Sequence, residues 1–76
     1  MRHTLAERLC EQVPGARVRD DFDGLGMSAV VVHDLAAAIE ALQRLCGGSP
    51  DGQKVGGYTL PRPFCAERLE GQTIIY

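Results

Sequence analysis

The chain has 76 residues, 45% hydrophobic and 24% charged, which is enough for one ordinary globular domain, residues 1–76, and too apolar for disorder. Ten acidic residues against eight basic ones give a net charge of −2, so the sequence carries neither a basic nucleic-acid footprint nor the acidic density of a DNA mimic. A domain this short needs most of its interior for its core, which weighs against a deep catalytic cleft and against a bound cofactor.

Cys10, Cys46 and Cys65 are odd in number and have no close pair, unlike the even sets of disulfide-stapled secreted domains. That points to a reducing compartment, the cytoplasm. The first residues are charged where a signal peptide would be apolar, and no run is long enough to span a membrane.

Thr4 and Glu7 have capping-box spacing, and Leu5, Leu9 and Val13 recur along one face until Pro14-Gly15, which predicts a first helix. Residues 16–22 alternate, with Ala16, Val18 and Phe22 on one side, Arg17, Arg19 and Asp21 on the other, and Asp20 misplaced on the apolar side. Asp23-Gly24 suits a two-residue turn into the β-branched stretch 27–32, predicting a hairpin in which Val18 faces Ala29 and Ala16 faces Val31. Val30 and Val32 then point outward, and Asp20 falls near Met27 at the sheet edge or beside a charge.

Asp34 is a good N-cap for a second helix whose apolar stripe is Leu35, Ala38, Ile39, Leu42, Leu45 and Cys46, ending at Gly47-Gly48. Residues 47–57 hold five Gly and Pro50 and read as an exposed, mobile connection. A third strand begins around Val55, Tyr58 and Leu60 and is stopped by Pro61 and Pro63. Residues 64–70 fit a helical turn or a strand equally well, and residues 72–76 form a last strand. The expected fold is α+β, two helices packed on one face of a small, mostly antiparallel sheet, in the order α-β-β-α-β-β.

No constellation carries obvious chemistry. His3, Cys10, His33, Cys46 and Cys65 lack the close ligand pair of a structural zinc site, so Cys10 and Cys46 read as small core residues and no metal is assigned. The stretch 47–54 lacks the Lys-Ser/Thr ending of a phosphate-binding loop and follows a helix where that motif follows a strand. No catalytic residue is assigned. Cys65, near Arg62 and Arg68, is the best candidate for a reactive thiol and carries the reading of a thiol-dependent enzyme or redox protein.

The segment 73–76 would be adhesive at a sheet edge, or else is a central strand paired on both sides. The reading favoured by size and by the lack of chemistry is a non-enzymatic binding protein that occupies a surface of a larger protein or protein complex, as a monomer or a homodimer. Phage-encoded anti-defence proteins, antitoxin-like neutralisers and accessory subunits are of this size class. Its contact residues are expected among Tyr58, Arg62, Phe64, Ile75, Tyr76 and the Gly-rich loop. The competing reading, a small nucleic-acid-binding regulator, rests on Arg17 and Arg19, joined by Arg62 and Arg68 if the first and last strands approach.

Overall fold

The computed structural model describes residues 1–20 and 26–76. Helix α1 (His3–Gln12) buries Ala6 and Leu9 and is followed by buried Val13 before the chain turns at Pro14-Gly15. It starts earlier than a Thr4 cap would place it: Arg2 is the N-cap, without a side-chain cap bond, and Thr4 lies inside the first turn. The entry is fixed instead by strand-like pairing of Met1 with Ser28, whose N–H donates to the Met1 carbonyl at 2.7 Å. A side-chain cap contributes only about 1 kcal/mol, less than burying the Met1 side chain, so the tertiary contact decides where the helix begins. Helix α2 (Leu35–Cys46) follows its sequence signals closely: Asp34 accepts the Ala37 N–H at 3.1 Å, and Gly47 ends the helix at φ 82°.

The main sheet contains β1 (Arg17–Arg19), β2 (Ala29–Val32), β5 (Ala66–Leu69) and β6 (Gln72–Ile75), in the spatial order β1-β2-β6-β5 and antiparallel throughout. The α+β class and the helix and strand order expected from the sequence are those observed, and the stretch 64–70 contains strand β5 and not a helical turn. The β1–β2 register differs by one residue from that expected. Val18 pairs with Val30 and Arg17 with Val31, so Val30 and Val32 face the helices while Ala29 and Val31 take the other face. The observed slip brings two valines rather than one into the helix-side core, Val30 between Val18 and Ile75 and Val32 opposite Thr73. The expected Asp23-Gly24 turn lies outside the described residues.

Strand β6 pairs with β2 on one side and β5 on the other, so it is an inner strand and not an adhesive edge. Ile74 and Ile75 are fully buried on opposite faces. Such two-sided burial is why both of these adjacent residues are apolar although they face opposite ways.

The stretch 47–62 is more ordered than its glycine content suggests. It forms a separate hairpin, β3 (Lys54–Val55) and β4 (Tyr58–Thr59), turned at Gly56 and Gly57 with φ 55° and 86°, in place of a third strand of the main sheet. Gly52 is buried, and a Cβ there would collide with the Leu60 carbonyl oxygen, so only glycine allows the two chain segments this close. Leu60 is fully buried and joins the hairpin to the core.

Candidate interaction surface

The hairpin segment is fastened by polar side chains. Gln43, on α2, donates to the Thr59 carbonyl at 3.1 Å. The Gln53 amide donates to the Ala66 carbonyl at 3.1 Å and accepts the Ala66 N–H at 3.0 Å, so one side chain reproduces the pairing a neighbouring strand would offer to the outer edge of β5. Lys54 Nζ donates to the Pro50 carbonyl at 2.9 Å and to Thr59 Oγ1 at 3.1 Å. Arg62 Nη1 lies 2.9 Å from Asp51 Oδ2, with both side chains exposed.

This framework carries Tyr58, 44% exposed, outward on β4. A shallow groove of about 350 Å³, lined by Gln43, Gly48, Ser49, Pro50 and Thr59, lies on the Thr59 side of the hairpin, whereas Tyr58 alternates to the other face. Of the residues expected at a partner contact, Tyr58, Arg62 and the Gly-rich loop thus belong to one continuous segment. Phe64 is half-buried against the core. Ile75 is in the core and has no surface to offer, because β6 is an inner strand. Tyr76 is half-buried at the end of β6, bonded to Cys65 through both backbone groups at 2.9 Å. Burial pushes its phenol pKa up, and Glu67 and Cys65 add to the shift.

The four arginines proposed for a basic face are divided. Arg17 and Arg19 alternate onto the face away from the helices, where Arg19 Nη2 lies 3.9 Å from Glu70 Oε1. Arg68 is turned to Thr73 Oγ1 and the Gly71 carbonyl on β5 and its turn, and Arg62 belongs to the hairpin segment.

His3, Asp20 and Ser28 form a cluster that sequence reasoning missed. His3 Nδ1 lies 2.8 Å from Asp20 Oδ1 and 3.2 Å from Ser28 Oγ, while Ser28 Oγ donates to the same Asp20 oxygen at 3.0 Å. In a nucleophilic relay the serine would address the imidazole nitrogen remote from the carboxylate. Here both address Nδ1, Nε2 faces Glu7 at 3.5 Å, and Ser28 is only 2% exposed, so the cluster clasps α1 to the β1–β2 end of the sheet. Asp20, exposed at that edge, has the company its apolar-side position called for, opposite Ser28 rather than near Met27.

Cys46 is exposed rather than in the core, Cys10 is half-buried with its thiol pKa raised by burial, and Cys65 Sγ lies 4.0 Å from the Pro63 carbonyl. The stripe that suggested a buried Cys46 ends one residue earlier, where the helix runs out past the core. Among the described residues no group of three or more His, Cys, Asp or Glu could hold a metal ion, and no helix is long and apolar enough to cross a membrane. Comparison with protein-family models, curated proteins and solved structures finds no match to this chain.

Proposed function

We propose that this protein is a non-enzymatic protein–protein interaction module, a small inhibitor or accessory protein that docks on a larger protein or protein complex through the hairpin segment centred on Tyr58. The observation that carries this reading is Tyr58 itself, the most exposed aromatic among the described residues, mounted on a hairpin tied down by Gln43 and Gln53. An exposed tyrosine on a pre-ordered support gives up little conformational freedom on binding, and tyrosine is among the residues that dominate interface energetics. The groove on the Thr59 side of the hairpin is lined by Gln43, Gly48, Ser49, Pro50 and Thr59, with no carboxylate, imidazole or thiol, which favours binding over turnover. Three free thiols fit a reducing, cytoplasmic setting.

The test is a pull-down from lysate of the source cell or its host with the wild-type chain and Tyr58→Ala side by side, after circular dichroism shows that both are folded. A stoichiometric protein retained by the wild type and reduced more than about tenfold by the variant is the expected outcome. A partner held equally by both moves the interface elsewhere. Nucleic acid retained at moderate salt, and lost on substituting Arg17 and Arg19, replaces this reading with the regulator.

A further inference from the structure

The two outer edges of the main sheet end differently. At the β5 edge the outward backbone groups of Ala66 are already met by the Gln53 amide. At the β1 edge the direction of each backbone group follows from the antiparallel ladder, in which successive residues address opposite neighbours. Cys65 and Tyr76 exchange both bonds, so Tyr76 and Ile74 address β5 while Ile75 and Thr73 address β2. Val30 and Val32 therefore address β6, and Ala29 and Val31 address β1 through Arg19 and Arg17. Ser28, in the same row as Val30, turns both of its groups to Met1, as this alternation requires. The residue left over is Val18, whose N–H and C=O point away from the sheet and have no hydrogen-bond partner among the described residues. Arg17 and Arg19 flank it with both side chains on the face away from the helices, roughly 7 Å apart along the strand. Arg17 is exposed and makes no ion pair among the described residues, and Arg19 has Glu70 at 3.9 Å.

We propose that the β1 edge is a second interaction surface, apart from the Tyr58 hairpin, and that it takes a short extended segment of a partner protein as an added antiparallel strand. One residue of that segment exchanges both backbone bonds with Val18, and the residues on either side of it are acidic, facing Arg17 and Arg19. The middle side chain lies beside Val18 on the helix side, where Val18 packs against the core, so it is apolar or β-branched. The segment is short because Ala16, the next residue of the outward row, already donates its N–H to the Val13 carbonyl. A second copy of this chain fits the edge poorly. Twofold pairing at Val18 would set Arg17 of each copy opposite Arg19 of the other, like charges on one face.

The test is an NMR titration of the full chain, with amide exchange, using a peptide of about nine residues alternating Glu and Thr. Its controls are the Gln and Thr counterpart, the glutamate peptide N-methylated at every threonine, and an oligo-dT of about ten nucleotides. In the free chain the Val18 amide should exchange faster than those of Arg17 and Arg19, which β2 already holds. The glutamate peptide should give saturable shifts centred on Val18 and slow that amide, binding more weakly as salt rises from about 0.1 M to about 0.5 M. Arg17→Gln should lower affinity about two- to fivefold and Arg17→Glu about tenfold or more, both at an exposed side chain that the fold does not use. The N-methylated peptide keeps the charges, loses the backbone donors and should not bind. Equal binding of that peptide or of the glutamine counterpart, shifts centred on Tyr58, stronger binding of oligo-dT, or no saturable shift overturns the proposal. So does a free chain that is already dimeric with a slow Val18 amide, which gives the edge to a second copy. Tyr58→Ala should leave this titration unchanged, so the two surfaces stand or fall separately.

Discussion

The four-stranded sheet with its two helices and the hairpin segment 47–62 are stabilised in different ways. In the first, Leu9, Val30, Ile39, Leu42 and Ile75 fill a common interior, and the contacts are nonspecific in chemistry but exacting in volume. In the second, Leu60 is the anchor in the core, and position is set by individual hydrogen bonds from Gln43, Gln53 and Lys54. A surface built in the second way keeps its polar and aromatic groups accessible, because its shape does not depend on burying them. That difference favours the hairpin over the faces of the sheet as the proposed binding surface.

The largest expected effect tests the first half of that contrast. Ile75→Asp removes a fully buried side chain and leaves a charge in its place, at a combined cost of several kcal/mol. A domain of this size has a total stability of only roughly 4 to 11 kcal/mol, so the variant should be unfolded or nearly so by circular dichroism and chemical denaturation. A folded Ile75→Asp would mean that β6 is not an inner strand.

Gln53→Ala tests the second half. It should cost about 1 kcal/mol and selectively speed hydrogen exchange at the Ala66 amide, while the Cys65 and Tyr76 amides, paired across β5 and β6, stay protected. Equal acceleration at all three would show that the hairpin and the sheet open as one unit.

How much of this was legible in the sequence follows the same division. Helix α2 could be read from Asp34, the spacing of Ala38, Ile39 and Leu42, and Gly47, because each signal is local. The β1–β2 register could not, since Ala29 to Val32 is apolar at every position and alternation has nothing to choose between. Nor could the inner place of β6, because an adhesive edge and a strand buried on both faces have the same composition. At the site, exposed Tyr58 and Arg62 were legible from polarity and flanking Gly and Pro. Gln53 and Lys54 were not, because their partners are mainly backbone carbonyls and an amide whose positions only the folded chain determines.

A smaller, stabilising change sharpens the contrast at the β5–β6 turn. Glu70 has a positive φ of 54°, a conformation that suits glycine. Its ion pair with Arg19 is long, at 3.9 Å. Glu70→Gly should therefore be neutral or gain up to about 1 kcal/mol in denaturant unfolding, relief of strain outweighing the weak pair and the added flexibility of the unfolded chain. A clear loss would show that the Arg19 contact does more than its length suggests.

The smallest effect is a slope. Tyr76 has a pKa raised above its ordinary value of 10.0, so its contribution to stability is present below that pH and is lost as pH rises through the folded-state value. Tyr76→Phe should flatten the alkaline end of the stability curve and leave neutral pH almost unchanged, as read by thermal melts across pH.

The order β1-β2-β6-β5 also bears on the time course of folding. Val30 must find Ile75 across most of the molecule before either is shielded, whereas β5 meets β6 through a tight turn. Closing that long loop costs entropy before any burial repays it, so the β5–β6 hairpin can flicker early while completion waits for its capture by β2. A fragment ending before Gln72 would leave β2 with no inner neighbour, and it should remain unfolded however well its helices are encoded.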